Sequence, residues 1–312
     1  MLLFGAALPA AAQETSIVRL AGQTRVNTAI AISTDAYAPG TAERVILARE
    51  DQYADALAGG PLAAAQRGPL LLTPTSQLAS VVQDELRRVL PAGGVVYLLG
   101  GPAALAPAVA EQVTELGYEV IRLGGDTRYE TAVEIAGEAA PTPGFITVAT
   151  GNDFPDALIA GSLATPFAGG LVLLTDGDRL PDVVADYLAD NADVDVVTVG
   201  PAAATAYPGA FNVGGQTASQ RSVVAAETFY PALEPAGVAL ASVAAFPDGL
   251  AGAAHAFASG PIPLLLTPAD ELPQSHIDYV SGLEAAGLSY VYGGNAAIHE
   301  SVLDQLRTAL QG

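Results

Sequence analysis

Cysteine is absent from the 312 residues, which excludes a disulfide framework and any thiolate metal site and leaves the redox character of the compartment unmarked. Lysine is absent too, since all 12 basic residues are arginine. A GC-rich genome and adaptation to high salt would each produce that bias. Charge is sparse, at 14% of residues, and lopsided: 33 acidic side chains leave a formal net charge of −21. Nucleic acid needs a basic face on its partner and is excluded. Beyond the N-terminus there is no apolar run of about 18 residues or more, so no later segment is expected to span a membrane.

Catalytic machinery is also scarce. The only histidines, His255, His276 and His299, fall in the last third of the chain, and no Gly-x-Ser-x-Gly, His-Glu-x-x-His or Gly-x-x-x-x-Gly-Lys pattern occurs. The carboxylate pairs Asp176/Asp178 and Asp193/Asp195 each occur once and read as solvated acidic loops. No enzyme activity, cofactor or metal is expected.

What is present is an apolar start and a repeat. Leu2 to Ala12 form a short apolar run in which Ala10 and Ala12 suit Ala-x-Ala cleavage before Gln13, so residues 1–12 read as a signal peptide whose basic region is missing. Four blocks then recur in order, three times. The first is Leu20 to Arg25 (LAGQTR), Leu123 to Arg128 (LGGDTR) and Val213 to Thr217 (VGGQT). Next come Tyr53 to Gly59 (YADALAG), Phe154 to Gly161 (FPDALIAG) and Phe246 to Gly252 (FPDGLAG). The third block is an apolar run ending at Thr73, Thr175 or Thr267, and the fourth is a second run ending at Gly101, Gly200 or Gly294.

Runs such as Arg44 to Ala48, Pro69 to Thr73 and Val95 to Leu99 are apolar on both faces, as strands of a covered parallel sheet must be. Alanine-rich stretches of helical spacing separate them, so right-handed β-α-β crossovers are expected. The fold class is α/β: three tandem Rossmann-like subdomains, each a small parallel sheet flanked by helices. The units read as 17–119, 120–210 and 211–312. Ile17 to Leu20 is expected to join the sheet of its own unit. No flexible linker separates the units, so tight packing is expected.

These blocks, from the LAGQTR start to the Leu-Leu-Gly-Gly strand end, resemble the cell wall binding repeat 2 family over nearly the whole chain from Ile17. The resemblance implies three copies around a pseudo-threefold axis and noncovalent attachment to an anionic, teichoic-acid-like wall polymer, with polymer sites near contacts between copies. It also implies a secreted protein of the bacterial cell surface. Family members commonly carry a separate effector module, and none is expected within these 312 residues.

Thr24, Thr127 and Thr217 follow glycines and open helices. Thr127 with Glu130, and Thr217 with Gln220, have capping-box spacing, so capping is the favoured role. The turn before each helix, at Gly22, Gly124, Gly125, Gly214 and Gly215, can also hold an anion on its free amides. Arg25 and Arg128 sit in a first helical turn, where the dipole disfavours a cation. Each therefore pairs with a carboxylate across a contact between copies or faces a polymer anion. In the third copy Ala218 takes that place, and Arg221 lies about one turn further on.

Asp55, Asp156 and Asp248 suit a helix start, where a carboxylate contributes about 0.3 to 1 kcal/mol. Alternatively they pair with an arginine of the neighbouring copy or bind sugar hydroxyls. Thr73, Thr175 and Thr267 end strands at the edge where open α/β sheets bind ligands, though a strand-ending turn accounts for them equally.

A polymer-binding module fits the triplication, because several weak sites reading a periodic chain give avidity. The rivals are a hydrolase of wall glycan or sugar phosphate using a repeat carboxylate, and a surface assembly or adhesion protein. A body of charge −21 is repelled by an anionic polymer, so the arginines are expected to gather locally at the binding surface.

Overall fold

The computed structural model describes residues 16–283 and 287–311; the signal-peptide expectation at 1–12 lies outside them. Twelve strands are found among the described residues: β1 (Ser16–Leu20), β2 (Arg44–Arg49), β3 (Leu70–Thr73), β4 (Val95–Leu99), β5 (Glu119–Leu123), β6 (Phe145–Thr150), β7 (Gly170–Thr175), β8 (Val196–Val199), β9 (Phe211–Val213), β10 (Ala239–Ser242), β11 (Leu264–Thr267) and β12 (Leu288–Tyr292). Val45, Ile46 and Leu47 of β2 are fully buried, as is nearly all of β6 and β10. Such strands need cover on both faces, and helices supply it.

The strands form three four-stranded sheets, ordered β3-β2-β4-β5, β7-β6-β8-β9 and β1-β12-β10-β11, with every pairing parallel. The α/β class and the three helix-flanked subdomains are therefore as expected. The membership of one strand is not. β5 carries the opening of the second LAGQTR-type block, yet it lies beside β4 with Leu123 opposite Leu99. β9 likewise lies beside β8, with Val213 opposite Val199. β1 closes the ring against β12 at the far end of the chain, with Leu20 opposite Tyr292. Each repeat thus gives its first strand to the preceding sheet, and Ile17 to Leu20 does not join the sheet of its own unit.

The physical reason lies at the turn that follows. The helix opened by each capping threonine packs on the next sheet: Arg25–Ala36 covers β3, Arg128–Ala139 covers β7, and Ala218–Phe229 covers β11. One polar side chain then holds each exchanged strand to its host. Arg19 Nη1 donates to the Gly293 carbonyl at 2.8 Å and Arg122 Nη1 to the Gly100 carbonyl at 2.8 Å. The Asn212 amide, oriented to donate, reaches the Gly200 carbonyl at 3.1 Å.

The helices Gly59–Ala65, Pro155–Ala164 and Phe246–Ala258 pack on one another along the pseudo-threefold axis. Small residues make this approach possible: a Cβ on Gly60 would lie 3.6 Å from Ala253, and one on Gly249 would lie 2.8 Å from Leu158. Leucines 57, 158 and 250 fill the centre and are almost fully buried, each contributing about 1.5 to 3 kcal/mol.

Gly200 has φ +86, and a Cβ there would lie 2.0 Å from Asp156 Oδ2. Gly209 has φ +96 with nothing within 4 Å. Both Gly→Ala changes incur the cost of a positive φ, about 1 to 3 kcal/mol. Only Gly200→Ala also displaces a buried carboxylate, so it is expected to cost roughly twice as much or more in denaturant unfolding. Equal losses for the two variants would show that the corner at Gly200 is not sterically closed.

Candidate functional site

The loops after β2, β6 and β10 lead into the axial helices and bring three rings together. Tyr53, Phe154 and Phe246 occupy the same motif position, two residues before the repeated aspartate. Their centroids lie 5.7 Å (Tyr53 to Phe154), 5.5 Å (Tyr53 to Phe246) and 6.1 Å (Phe154 to Phe246) apart. All three are half-buried, so they form an apolar triangle at the end of the axis, open on one side. Sequence reasoning passed over them as site residues, although the signal was present in the aromatic side chain that opens the same block in every copy.

Just below the rings, each aspartate turns toward the following repeat. Asp55 accepts from Thr131 Oγ1 at 3.2 Å, and Asp156 accepts from Arg221 Nε at 2.6 Å. Asp248 lies against the Thr28 hydroxyl and feels the Arg25 charge. Thr28, Thr131 and Arg221 stand at one repeat position, four residues after the capping threonine. Burial pushes the Asp156 carboxyl up, opposed by Arg221. Burial also pushes Asp248 up, opposed by the Thr28 hydrogen bond and by Arg25. On the opposite side, Gly100, Gly200 and Gly293 press on these carboxylates; a Cβ would fall 2.8, 2.0 and 2.4 Å from Oδ2 of Asp55, Asp156 and Asp248. Asp156 and Asp248 stand in a first helical turn as expected, whereas Asp55 precedes its helix by four residues; the expected arginine of the next copy is found only at Asp156, and threonines take its place at Asp55 and Asp248.

Capping by the threonines is as expected. Thr24 Oγ1 accepts from the Asn27 amide, Thr127 from Glu130 and Thr217 from Gln220. Thr127 and Glu130 close a full capping box. The third copy departs from that expectation, because Gln220 Oε1 accepts from the Gln216 amide at 2.9 Å instead of from Thr217. Thr73, Thr175 and Thr267 are fully buried, and their hydroxyls donate to the carbonyls of Gln77, Gly177 and Glu271 in their own loops. They end strands and present nothing to a ligand, which corrects the ligand-edge alternative.

The arginines divide sharply. Eight of the twelve form ion pairs with Asp or Glu. Arg221 is one of these; its bond to Asp156 is largely buried, so it does not stand in for the arginine missing at Ala218. Among the described residues the other four, Arg25, Arg44, Arg122 and Arg128, have no carboxylate partner, and Arg44 and Arg122 bond backbone carbonyls away from the rings' rim. Arg25 Nη1 donates to the Glu50 carbonyl at 2.7 Å, and its guanidinium lies 5.7 Å from the Phe246 ring centre. Arg128 Nη1 donates to the Gly151 carbonyl. The adjacent carbonyl, Asn152, accepts from the Tyr53 hydroxyl at 3.1 Å. Both cations therefore flank the aromatic triangle, and their carbonyl bonds leave donor capacity free.

The histidines lie elsewhere. His255 is buried between Asp35, 2.9 Å from Nε2, and the Tyr292 hydroxyl, 2.9 Å from Nδ1. A carboxylate only accepts, so Nε2 carries the proton and Nδ1 accepts from Tyr292. Ser259 Oγ stands 3.4 Å from both ring nitrogens, which are already engaged. His276 is fully buried with Nε2 3.1 Å from the Leu266 carbonyl.

Two expectations follow from these contacts. Arg221→Ala leaves Asp156 buried without its charge partner and is expected to cost about 3 to 5 kcal/mol in denaturant unfolding. Arg221→Thr restores the residue type found at Thr28 and Thr131 and should cost less than half as much; equal losses would show that the hydroxyl cannot serve Asp156. The second concerns acid. Burial lowers the His276 pKa from 6.5 to about 4 and lowers that of His255 as well. The unfolded chain therefore takes up protons first, and stability should fall as pH drops from 6.5 to about 4. The loss from His276 is on the order of 3 kcal/mol. His276→Gln, which keeps a donor for Leu266, should flatten that slope when unfolding is followed against pH.

The family model described as cell wall binding domain 2 matches residues 19–110, 122–208 and 212–303. N-acetylmuramoyl-L-alanine amidase LytC of Bacillus subtilis (strain 168) is 26% identical over 315 residues, which cover 98% of this chain and 61% of that protein. The amidase enhancer of the same organism is 32% identical over 165 residues, covering 53% of this chain and 22% of that protein. Among solved structures, Cwp8 from Clostridium difficile superposes with a TM-score of 0.84 at 24% identity, over 96% of this chain and 52% of its own. Cwp6 from the same organism gives 0.82 at 22%, over 95% and 48%. The chain thus spans less than two thirds of each of these proteins, and with the family model repeated three times along it, it belongs to the cell wall binding domain 2 family.

Proposed function

We propose that this chain attaches noncovalently to the bacterial cell wall from outside the cell, gripping a wall polymer at the end of the axis where Tyr53, Phe154 and Phe246 meet. One observation carries the reading: Arg25 and Arg128, two arginines without a carboxylate partner among the described residues, flank the three rings. A guanidinium with free donors suits an anionic group such as a phosphodiester. The open side of the half-buried rings suits the apolar face of the sugar beside it. The polymer favoured is therefore an anionic glycan of the teichoic-acid kind. In this reading the chain binds and does not catalyse, because the repeat carboxylates are engaged between copies.

This reading also differs in valency from three independent sites. Three rings converging on one point make a single composite site, in place of three separate weak ones.

Retention on purified walls tests the proposal. Wild-type protein should pellet with walls and be released once hydrofluoric acid has stripped phosphodiester-linked polymers. Arg25→Ala combined with Arg128→Ala should weaken binding by roughly ten- to a hundredfold, on the order of 1.4 to 2.8 kcal/mol. Retention that survives both the acid treatment and the double substitution would overturn the anionic-polymer reading.

A further inference from the structure

The three seams between repeats can be compared position by position, and they are not alike. Between the first and second repeats, the Tyr97 hydroxyl donates to Glu138 Oε1 at 2.6 Å, and the charge of Arg44, the first residue of β2, bears on the same phenol. Where the third repeat meets the first, the matching residues are Tyr290 and Asp35, with His255 packed edge-on against Tyr290 at 4.6 Å and bonded to Asp35. Both seams are plugged by a phenol and a carboxylate. Between the second and third repeats the same positions hold Val197 and Thr228, and the first residue of β6 is Phe145.

No plug forms there. A groove of about 680 Å³ opens, lined by Val197 and Thr228 together with Phe145, Phe211, Phe229 and Asp195. Its wall is aromatic: Phe211 and Phe229 lie 5.8 Å apart, and Phe145 and Phe229 lie 6.0 Å apart. Phe211 is 54% exposed, the most of any large apolar side chain described. It belongs to β9, an edge strand whose outer backbone groups lack a strand partner. Such a volume falls within the range of small-ligand sites.

We propose that this groove binds an uncharged pyranose ring of a glycan, an inference that rests on the wall-binding reading. The phenylalanines offer flat faces to the apolar C–H face of a sugar, while the Asp195 carboxylate, the Tyr207 hydroxyl and the free edge of β9 offer hydrogen bonds to its hydroxyls. Charge decides against an anionic unit: Asp195 is an acid, and no arginine or histidine lines the groove. The groove lies at the amino ends of β8 and β9, the sheet edge opposite the axial triangle. The chain would then read the charged part of a polymer at one end and a neutral sugar at the other.

Titration by calorimetry or NMR with triacetylchitotriose, cellotriose and mannotriose tests this, with glucose 1-phosphate as the charged control. At least one trisaccharide should bind and the sugar phosphate should not. Phe211→Ala should weaken that binding by roughly tenfold or more. Val197→Tyr combined with Thr228→Glu rebuilds the plug of the other seams; it should abolish trisaccharide binding while the protein stays folded. Arg25→Ala with Arg128→Ala should leave trisaccharide binding unchanged. Binding of none of the three, or binding indifferent to both groove variants, overturns the proposal. Wall retention without trisaccharide binding sinks the groove alone, whereas trisaccharide binding without wall retention sinks the wall reading alone.

Discussion

A carboxylate drawn out of water must find donors, and where the chain turns into each axial helix those donors come from another repeat. Thr131 serves Asp55, Arg221 serves Asp156, and Thr28 lies at Asp248. The other side of each carboxylate is pressed against a glycine of positive φ, Gly100, Gly200 or Gly293. The carbonyl of that glycine in turn accepts from Arg122, Asn212 or Arg19 on the exchanged strand. One acid in each repeat, buried at Asp156 and half-buried at Asp55 and Asp248, therefore links three things at once: the axial helix, the capped helix of the next repeat and the strand that crosses between sheets. The aromatic triangle follows from it, because Tyr53, Phe154 and Phe246 stand two residues earlier on the same turn.

Much of this was legible in the sequence wherever the cause is local. Apolar runs such as Leu70 to Thr73 read as covered strands, because their neighbours in sequence leave no polar face. Thr24, Thr127 and Thr217 read as caps, because the amides they satisfy lie three residues away. The exchange of β1, β5 and β9 was not legible. Alternation of strand and helix states what an element is and leaves open which sheet receives it. The pairing of Asp156 with Arg221 was foreseen only as one of several options, since 65 residues separate the partners. Thr73, Thr175 and Thr267 sit at the expected sheet edge, yet the direction of a side chain there depends on loops whose paths sequence does not specify.

Divergence among the repeats follows the same division between shared and local constraint. Positions that every copy needs keep one chemistry: the axial aspartate, the positive-φ glycine and the ring above them. A position answering to a single seam drifts, as Tyr97, Val197 and Tyr290 do, because the loss of a local pair can be offset by apolar packing of similar size. At the second seam that drift gathered Phe145, Phe211 and Phe229 into one exposed wall. Recognition is most easily built where symmetry has lapsed, since a surface repeated three times cannot differ in what it selects.

Electrostatics limits how such a chain meets an anionic wall. With a net charge of −21, the approach is repulsive at any distance salt does not screen, and the screening length is roughly 8 Å at physiological ionic strength. Eight arginines are already committed to neighbouring carboxylates, so long-range steering is not available. What remains is attraction at contact, from Arg25 against Phe246 and Arg128 above the Gly151 carbonyl. Both guanidiniums are already held by backbone carbonyls, which reduces the side-chain entropy lost on meeting an anion. On the proposed reading, a protein arranged in this way would select at short range, by the fit of a charged group between two fixed cations beside an apolar patch, and would gain nothing from the general field of the wall.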